Sequence, residues 1–105
     1  MLSDHDGPSM ALVVRKDLKL SAGKLAVQCS HAAVSCSLQA KKSEARILER
    51  WNNGGARKIC LSVKDEESLR MLMGQAKSAG IITNLVKDAG PVSYTHLTLP
   101  TILPV

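Results

Sequence analysis

The chain has 105 residues and a formal net charge of +5, with 45% hydrophobic and 22% charged residues, a balance that fits neither a disordered chain nor a membrane protein. A chain of this length buries about two thirds of its unfolded surface, enough for one compact domain and too little for two. Its only aromatic residues besides histidine are Trp51 and Tyr94, which excludes a surface that stacks several bases or sugars on rings; any nucleic-acid contact is left to backbone phosphates.

Residues 1–9 carry Asp4 and Asp6 and no apolar segment, and read as a flexible tail rather than a targeting peptide. Met10, Ala11, Leu12, Val13 and Val14 form a continuous apolar run, the mark of a strand buried on both faces. After a polar connector, residues 23–40 contain no proline and, past Gly23, no glycine, while Ala, Leu, Lys and Gln favour helix. Residues 43–52 give a second helix with Ile47, Leu48 and Trp51 on one face, stopped by Gly54 and Gly55.

In residues 58–63 Ile59, Leu61 and Val63 alternate with Lys58, Cys60 and Ser62, which predicts a second strand. Asp65 is a suitable N-cap for a third helix, Glu66 and Glu67 suit its positive end, and Gly80 should end it. Residues 81–86 then supply a third strand. Residues 91–105 contain no Asp, Glu, Lys or Arg, and Pro100 should interrupt so short a strand as Leu97 and Leu99 could form, so this stretch reads as an atypical tail, foreign or disordered. The order predicts an α/β fold: a three-layer α/β/α domain over residues 10–90 with a small mixed sheet of about four strands, its closing strand in doubt. Ligands in such sheets collect beyond the carboxyl ends of the strands, which directs attention to Lys24 and Asp88.

Cys29, Cys36 and Cys60 cannot all pair, no CxxC is present, and Cys29 and Cys36 on one helix would stand about 10 Å apart along its axis, beyond disulfide reach. A reducing compartment, the cytoplasm, is expected. No stretch is long enough to span a bilayer. Charge is uneven: residues 11–58 hold ten Lys or Arg against three acids, whereas residues 59–90 hold four against four.

On the first helix Lys24, Gln28, His31 and Ser35 fall within an arc of about 60°, a polar stripe on a helix otherwise apolar, and so expected to be buried on most sides. The stripe faces either solvent or a site. Lys24, a cation in the first turn, lies at the unfavourable end of the helix dipole, a placement that invites an anionic partner but is also tolerated by a solvated lysine. His31 is readable as a general base, a structural histidine or a surface residue. Ser30, His31 and Asp88 do not make a hydrolase triad, because adjacent helical residues point about 100° apart. Gly23-Lys24 lacks the P-loop context, with Leu18 where the first glycine belongs and Leu25 where the magnesium hydroxyl belongs. Asp88, before Ala89-Gly90, is by spacing alone a turn former, with orientation of a water, a lysine or a ribose hydroxyl as its functional alternative.

Residues 11–33, with Gly23-Lys24 and Gln28-Cys29-Ser30-His31-Ala32-Ala33, together with Asp88-Ala89-Gly90, resemble the type 2 peptidyl-tRNA hydrolases of archaea and eukaryotes, and the order of elements agrees across residues 10–90. The resemblance implies a cofactor-free hydrolase, without a metal, that cuts the ester joining a peptide to tRNA and acts as a homodimer away from membranes. It implies that Lys24 and Asp88 are essential and that Gln28 and His31 accompany them. On this basis Lys24, Asp88 and His31 are expected to be catalytic, Gln28 and Ser30 to bind substrate, and Arg15, Lys16 and Lys19, with Lys41, Lys42, Arg57 and Lys58, to supply phosphate contacts. The segment after Gly90 departs from the family pattern, so a non-catalytic tRNA-binding or regulatory protein and an inactive truncated hydrolase stand as alternatives.

Overall fold

The computed structural model describes residues 7–87 and 97–103. Strand β1, Ser9–Arg15, is followed by a single 3-10 turn, Lys16–Leu18, and helix α1, Ala22–Ser43. Helix α2, Ala45–Asn53, strand β2, Lys58–Val63, helix α3, Glu66–Ser78, and strands β3, Ile82–Thr83, β4, Val86–Lys87, and β5, Leu97–Leu103, complete the order. The sheet runs β2-β1-β5-β3, with β4 also on β5; β1 and β2 are parallel, and β5 is antiparallel to its neighbours. This is the expected mixed sheet between helical layers.

β1 lies inside the sheet, which is why its apolar run has no polar alternation. Met10 and Leu12 face one cluster with Ala32, Cys36, Ala40, Trp51, Ile82 and Val86. Ala11 and Val13 face the other with Leu69 of α3. Ala32, Cys36 and Ala40 recur every four residues along α1, and these small side chains let the helix approach the sheet closely. Trp51 of α2 closes the end of that layer; its Nε1–H donates to the Arg57 carbonyl at 2.8 Å, and the same carbonyl accepts from Met10 N at 2.9 Å.

The helix ends follow their local chemistry. Asp65 caps α3, its carboxylate accepting from Ser68 N at 2.9 Å. At the other end Gly80 adopts φ +76°, its N–H reaches the Lys77 carbonyl, and Ile81 N–H reaches back to the Ala76 carbonyl, the paired bonds of a glycine-terminated helix.

Three expectations are corrected. α1 is not buried on most sides: Val27, Val34 and Leu38 are 67%, 59% and 59% exposed, because the sheet covers only one strip of the helix and, among the described residues, no further layer lies outside it. The third strand is split into β3 and β4, with Asn84 and Leu85 outside the ladder. The closing strand, doubted because of Pro100, is present as β5 between β1 and β3. Pairing of Ile82 with Ile102, Thr83 with Thr101 and Val86 with Thr98 keeps one register across the split, so the gap falls opposite Pro100 and Leu99. Proline has no N–H to give to a ladder, and the neighbouring strand opens where that donor is missing. Residues 1–6, most of the tail expected at the N-terminus, and residues 91–96 lie outside the described residues.

Candidate active site

The carboxyl ends of β1 and β2 meet the start of α1. The chain leaves β1 through the 3-10 turn and reverses at Lys19, in the left-handed conformation with φ 50°, its N–H bonded to the Lys16 carbonyl at 3.3 Å. Ser21 then caps α1, its hydroxyl accepting from Lys24 N at 3.3 Å. This brings Val14, Arg15, Lys16, Lys19, Leu20, Leu25 and Ser62 around a cleft of about 280 Å³. Lys24, one residue before Leu25, is exposed in the first turn of the helix beside it.

The cations at this edge differ in their commitments. The Arg15 guanidinium forms a two-pronged pair with Asp17, at 3.0 and 2.7 Å, and lies 3.7 Å from Glu66, which itself pairs with Arg70 at 2.7 Å. Its hydrogen bonds to Asp17 hold the Arg15 pKa above its ordinary value and the Asp17 carboxyl below its own. Arg15 therefore orders the turn that carries Lys16 and Lys19, and its charge is largely balanced by acids. Lys16 and Lys19 are exposed on the cleft wall. They supply its positive potential.

Along α1, Gln28 is half-buried and His31 is exposed. Ser30 donates its hydroxyl proton to the Ala26 carbonyl at 2.8 Å, so it is tied to its own helix. Ser35, the far end of the polar stripe, donates to Asn84 Oδ1 at 3.0 Å. Asn84 Nδ2 donates to Gln39 Oε1 at 2.6 Å, and Gln39 Nε2 donates to the Thr83 carbonyl at 3.1 Å. The stripe thus faces β3 and β4 at its C-terminal half and is open at Lys24 and His31. Sequence reasoning missed this clamp. Its only signal was a single asparagine within an apolar strand pattern.

Asp88 lies outside the described residues; strand β4, which ends at Lys87, is placed by register. Val86 pairs with Thr98, and Thr98 pairs with Val14. Lys87 therefore ends β4 at the same sheet edge where β1 ends, two strand spacings away, about 10 Å. The other expected cations are elsewhere. Lys41 and Lys42 are exposed in the last turn of α1, about 25 Å from Lys24 along the helix axis. Lys58, at the start of β2, donates to the Ala56 carbonyl at 2.7 Å and lies 5.3 Å from the centre of the Trp51 ring. The adjoining Arg57 shares that end of the sheet. Among the described residues no three His, Cys, Asp or Glu side chains gather as a metal site, and no helix is long and apolar enough to cross a membrane.

The sequence model of the family described as peptidyl-tRNA hydrolase PTH2 matches residues 9–105. The chain belongs to that family. It is 42% identical over 90 residues to the human protein named peptidyl-tRNA hydrolase 2, mitochondrial, covering 86% of this chain and 50% of that protein. It is 36% identical over 93 residues to the peptidyl-tRNA hydrolase of Thermoplasma volcanium, covering 89% of this chain and 77% of the relative. A fission-yeast protein named probable peptidyl-tRNA hydrolase 2 is 42% identical over 81 residues, 77% of this chain and 40% of its own length. The chain spans about half the length of the mammalian relatives it matches. Lys24, Gln28 and His31, the residues that the motif resemblance singles out, lie along one face of α1, with Lys24 in its first turn.

Proposed function

We propose that this chain hydrolyses the ester bond between a peptide and the 3′ end of tRNA, freeing the tRNA for reuse. The observation that carries the reading is the position of Lys24. It stands exposed in the first turn of α1, next in sequence to Leu25 of a cleft with Lys16 and Lys19 on its wall, in a chain matched by the family over residues 9–105. Ester hydrolysis needs a polarised carbonyl and an attacking water. The Lys24 ammonium and the amides of the first helical turn stabilise negative charge as it develops on the carbonyl oxygen. Asp88 orients the water or the lysine, and His31 and Gln28 orient the terminal ribose; Ser30 borders this group as an acceptor. The aliphatic walls, Val14, Leu20 and Leu25, take the acylated end of the substrate.

RNA binding is electrostatic in this reading. Lys16 and Lys19 hold phosphates near the cleft, while Lys41, Lys42, Arg57 and Lys58 offer a second group of cations at the opposite end of α1 and the sheet. Binding of tRNA weakens steeply with added salt; insensitivity to salt overturns the assignment. The chain acts as a homodimer, a state that the exposed row of Val27, Val34 and Leu38 on α1 favours, and a monomer by sedimentation at working concentration rules that out. Its free cysteines suit the reducing cytoplasm, although the names of the human, mouse and bovine relatives carry the word mitochondrial.

The deciding experiment is turnover of N-acyl-aminoacyl-tRNA by the Lys24→Ala variant. Loss of one stabilising donor lowers kcat by about 10²- to 10³-fold. The circular dichroism spectrum stays that of the parent, since the side chain is exposed. Turnover within a few-fold of the parent removes Lys24 from the reaction.

A further inference from the structure

Cys29 and Cys60 are 31 positions apart in sequence and adjacent in space. Parallel pairing sets Cys60 of β2 beside Leu12 of β1, so its side chain leaves the sheet on the Leu12 face, the face covered by α1. Cys29 is on the flank of α1 turned toward that edge, packed against the cluster that contains Leu12. The flank that carries Ser35 lies about 120° away around the helix and is occupied with Asn84. Burial pushes the Cys29 thiol up from its ordinary value, and the nearby Cys60 thiol adds to the shift. Cys60 is exposed on the edge strand and Cys29 is half-buried behind it. Cys36, a member of that same cluster two turns further along α1, is fully buried, its thiol pushed up to about 11 by burial.

We propose that Cys29 and Cys60 are a site of oxidative modification, forming a reversible disulfide between α1 and β2 when the protein meets a hydroperoxide. The exposed Cys60 sulfur attacks the peroxide oxygen; the S–O bond forms as the O–O bond breaks, and the departing oxygen takes a proton to leave as water or an alcohol. The Cys29 sulfur, releasing its proton to solvent, then attacks the Cys60 sulfur, and the hydroxyl of the sulfenic acid leaves as water. Two thiols lose two electrons and one peroxide is reduced. A dithiol reductant reverses the bond, which makes it compatible with a compartment that keeps thiols reduced at rest. The link closes onto the middle of the helix that carries Lys24 and His31, without using either side chain. It depends on the Cys29 flank of α1 lying toward the Cys60 face of β2 and not on hydrolysis.

The test treats the full chain with a small excess of hydrogen peroxide and counts thiols after denaturation. The count falls from three to one, peptide mapping finds Cys29 joined to Cys60 within one chain, and the melting midpoint rises by several degrees until dithiothreitol restores it. Cys36→Ser leaves the pairing intact, while Cys60→Ser, at an exposed position, folds normally and abolishes it. Recovery of Cys60 as sulfinic acid with Cys29 still a thiol, a link between two chains, or three thiols unchanged overturns the proposal.

Discussion

Leu69 is the sharpest test of the layered core. It is 0% exposed in α3 and packs with Ala11 and Val13 of β1 and with the half-buried Val63, Leu72, Met73 and Leu85. Truncation to alanine removes three buried carbons, worth about 2.4 kcal/mol in transfer free energy. A residual cavity of a few tens of cubic ångströms adds about 1 kcal/mol. Leu69→Ala should therefore cost about 3–4 kcal/mol, out of a total of roughly 5–15 kcal/mol for a chain of this size. Urea unfolding followed by fluorescence provides the measurement, because Trp51 is the only tryptophan and belongs to the cluster on the other side of the sheet. With a urea slope between about 1 and 2 kcal/mol/M, the midpoint falls by about 2 M with the slope unchanged. Met71→Ala, on the same helix but 63% exposed, changes stability by less than about 0.5 kcal/mol. Equal shifts for the two variants, or loss of α3 helicity without a change in the Trp51 transition, would show that β1 does not couple the two layers.

Trp51→Phe removes one hydrogen bond but leaves the Arg57 carbonyl bonded to Met10 N, so no buried acceptor is stranded; the expected loss is about 1–2 kcal/mol by circular dichroism, and a loss above about 4 kcal/mol contradicts that accounting. Raising the Cys36 pKa from about 9 to about 11 by burial means that the folded state keeps a proton the unfolded state gives up, so stability is intact below pH 9 and declines between about pH 9 and 11; Cys36→Ala flattens the decline in alkaline unfolding curves. The Asp17 and Asp65 carboxyls, held low by Arg15 and by the Ser68 amide respectively, contribute above the ordinary carboxylate pKa and lose that contribution as pH falls through their lowered values; Arg15→Gln reduces the acid sensitivity of the melting midpoint below about pH 4. Asn84→Ala cuts both bonds to α1 and speeds amide exchange at Val86 and Lys87, and unchanged exchange there means the clamp does not hold the strand.

Much of the fold was legible because it rests on signals that repeat over short spans. An uninterrupted apolar run placed β1 inside the sheet, alternation placed β2, and the carboxylate of Asp65 and the bare backbone of Gly80 bounded α3 by local hydrogen bonding. What escaped depends on residues far apart in sequence. Ser35 and Asn84 are 49 residues apart, and neither hydrophobic period nor turn chemistry links them. Cys29 and Cys60 come to one face of the sheet only once α1 is laid against β1 and β2 is paired beside it. Exposure of Val27, Val34 and Leu38 follows from the small number of layers, a property of the whole domain that no local window contains. At the site, Lys24 was found by its helix position and its motif. The balance of Arg15 by Asp17 and Glu66 was not, because Glu66 comes from the next layer.

The same long-range contacts explain how so small a sheet keeps its carboxyl edge in order. A proline inside a sheet ordinarily weakens it, and here the adjoining strand is split opposite Pro100, leaving Asn84 and Leu85 without ladder partners. Asn84 bonds to Ser35 and Gln39 instead, so the lost sheet pairing is exchanged for contacts to α1. Those contacts fasten the segment leading to Lys87 onto the helix whose first turn carries Lys24. In the antiparallel register, Lys87 and the end of β1 then share one edge. The first turn of α1, with Lys24, and the end of β4, at Lys87, keep a constant separation only if helix and strand are held in fixed relation. The polar clamp supplies that relation where the interrupted ladder cannot.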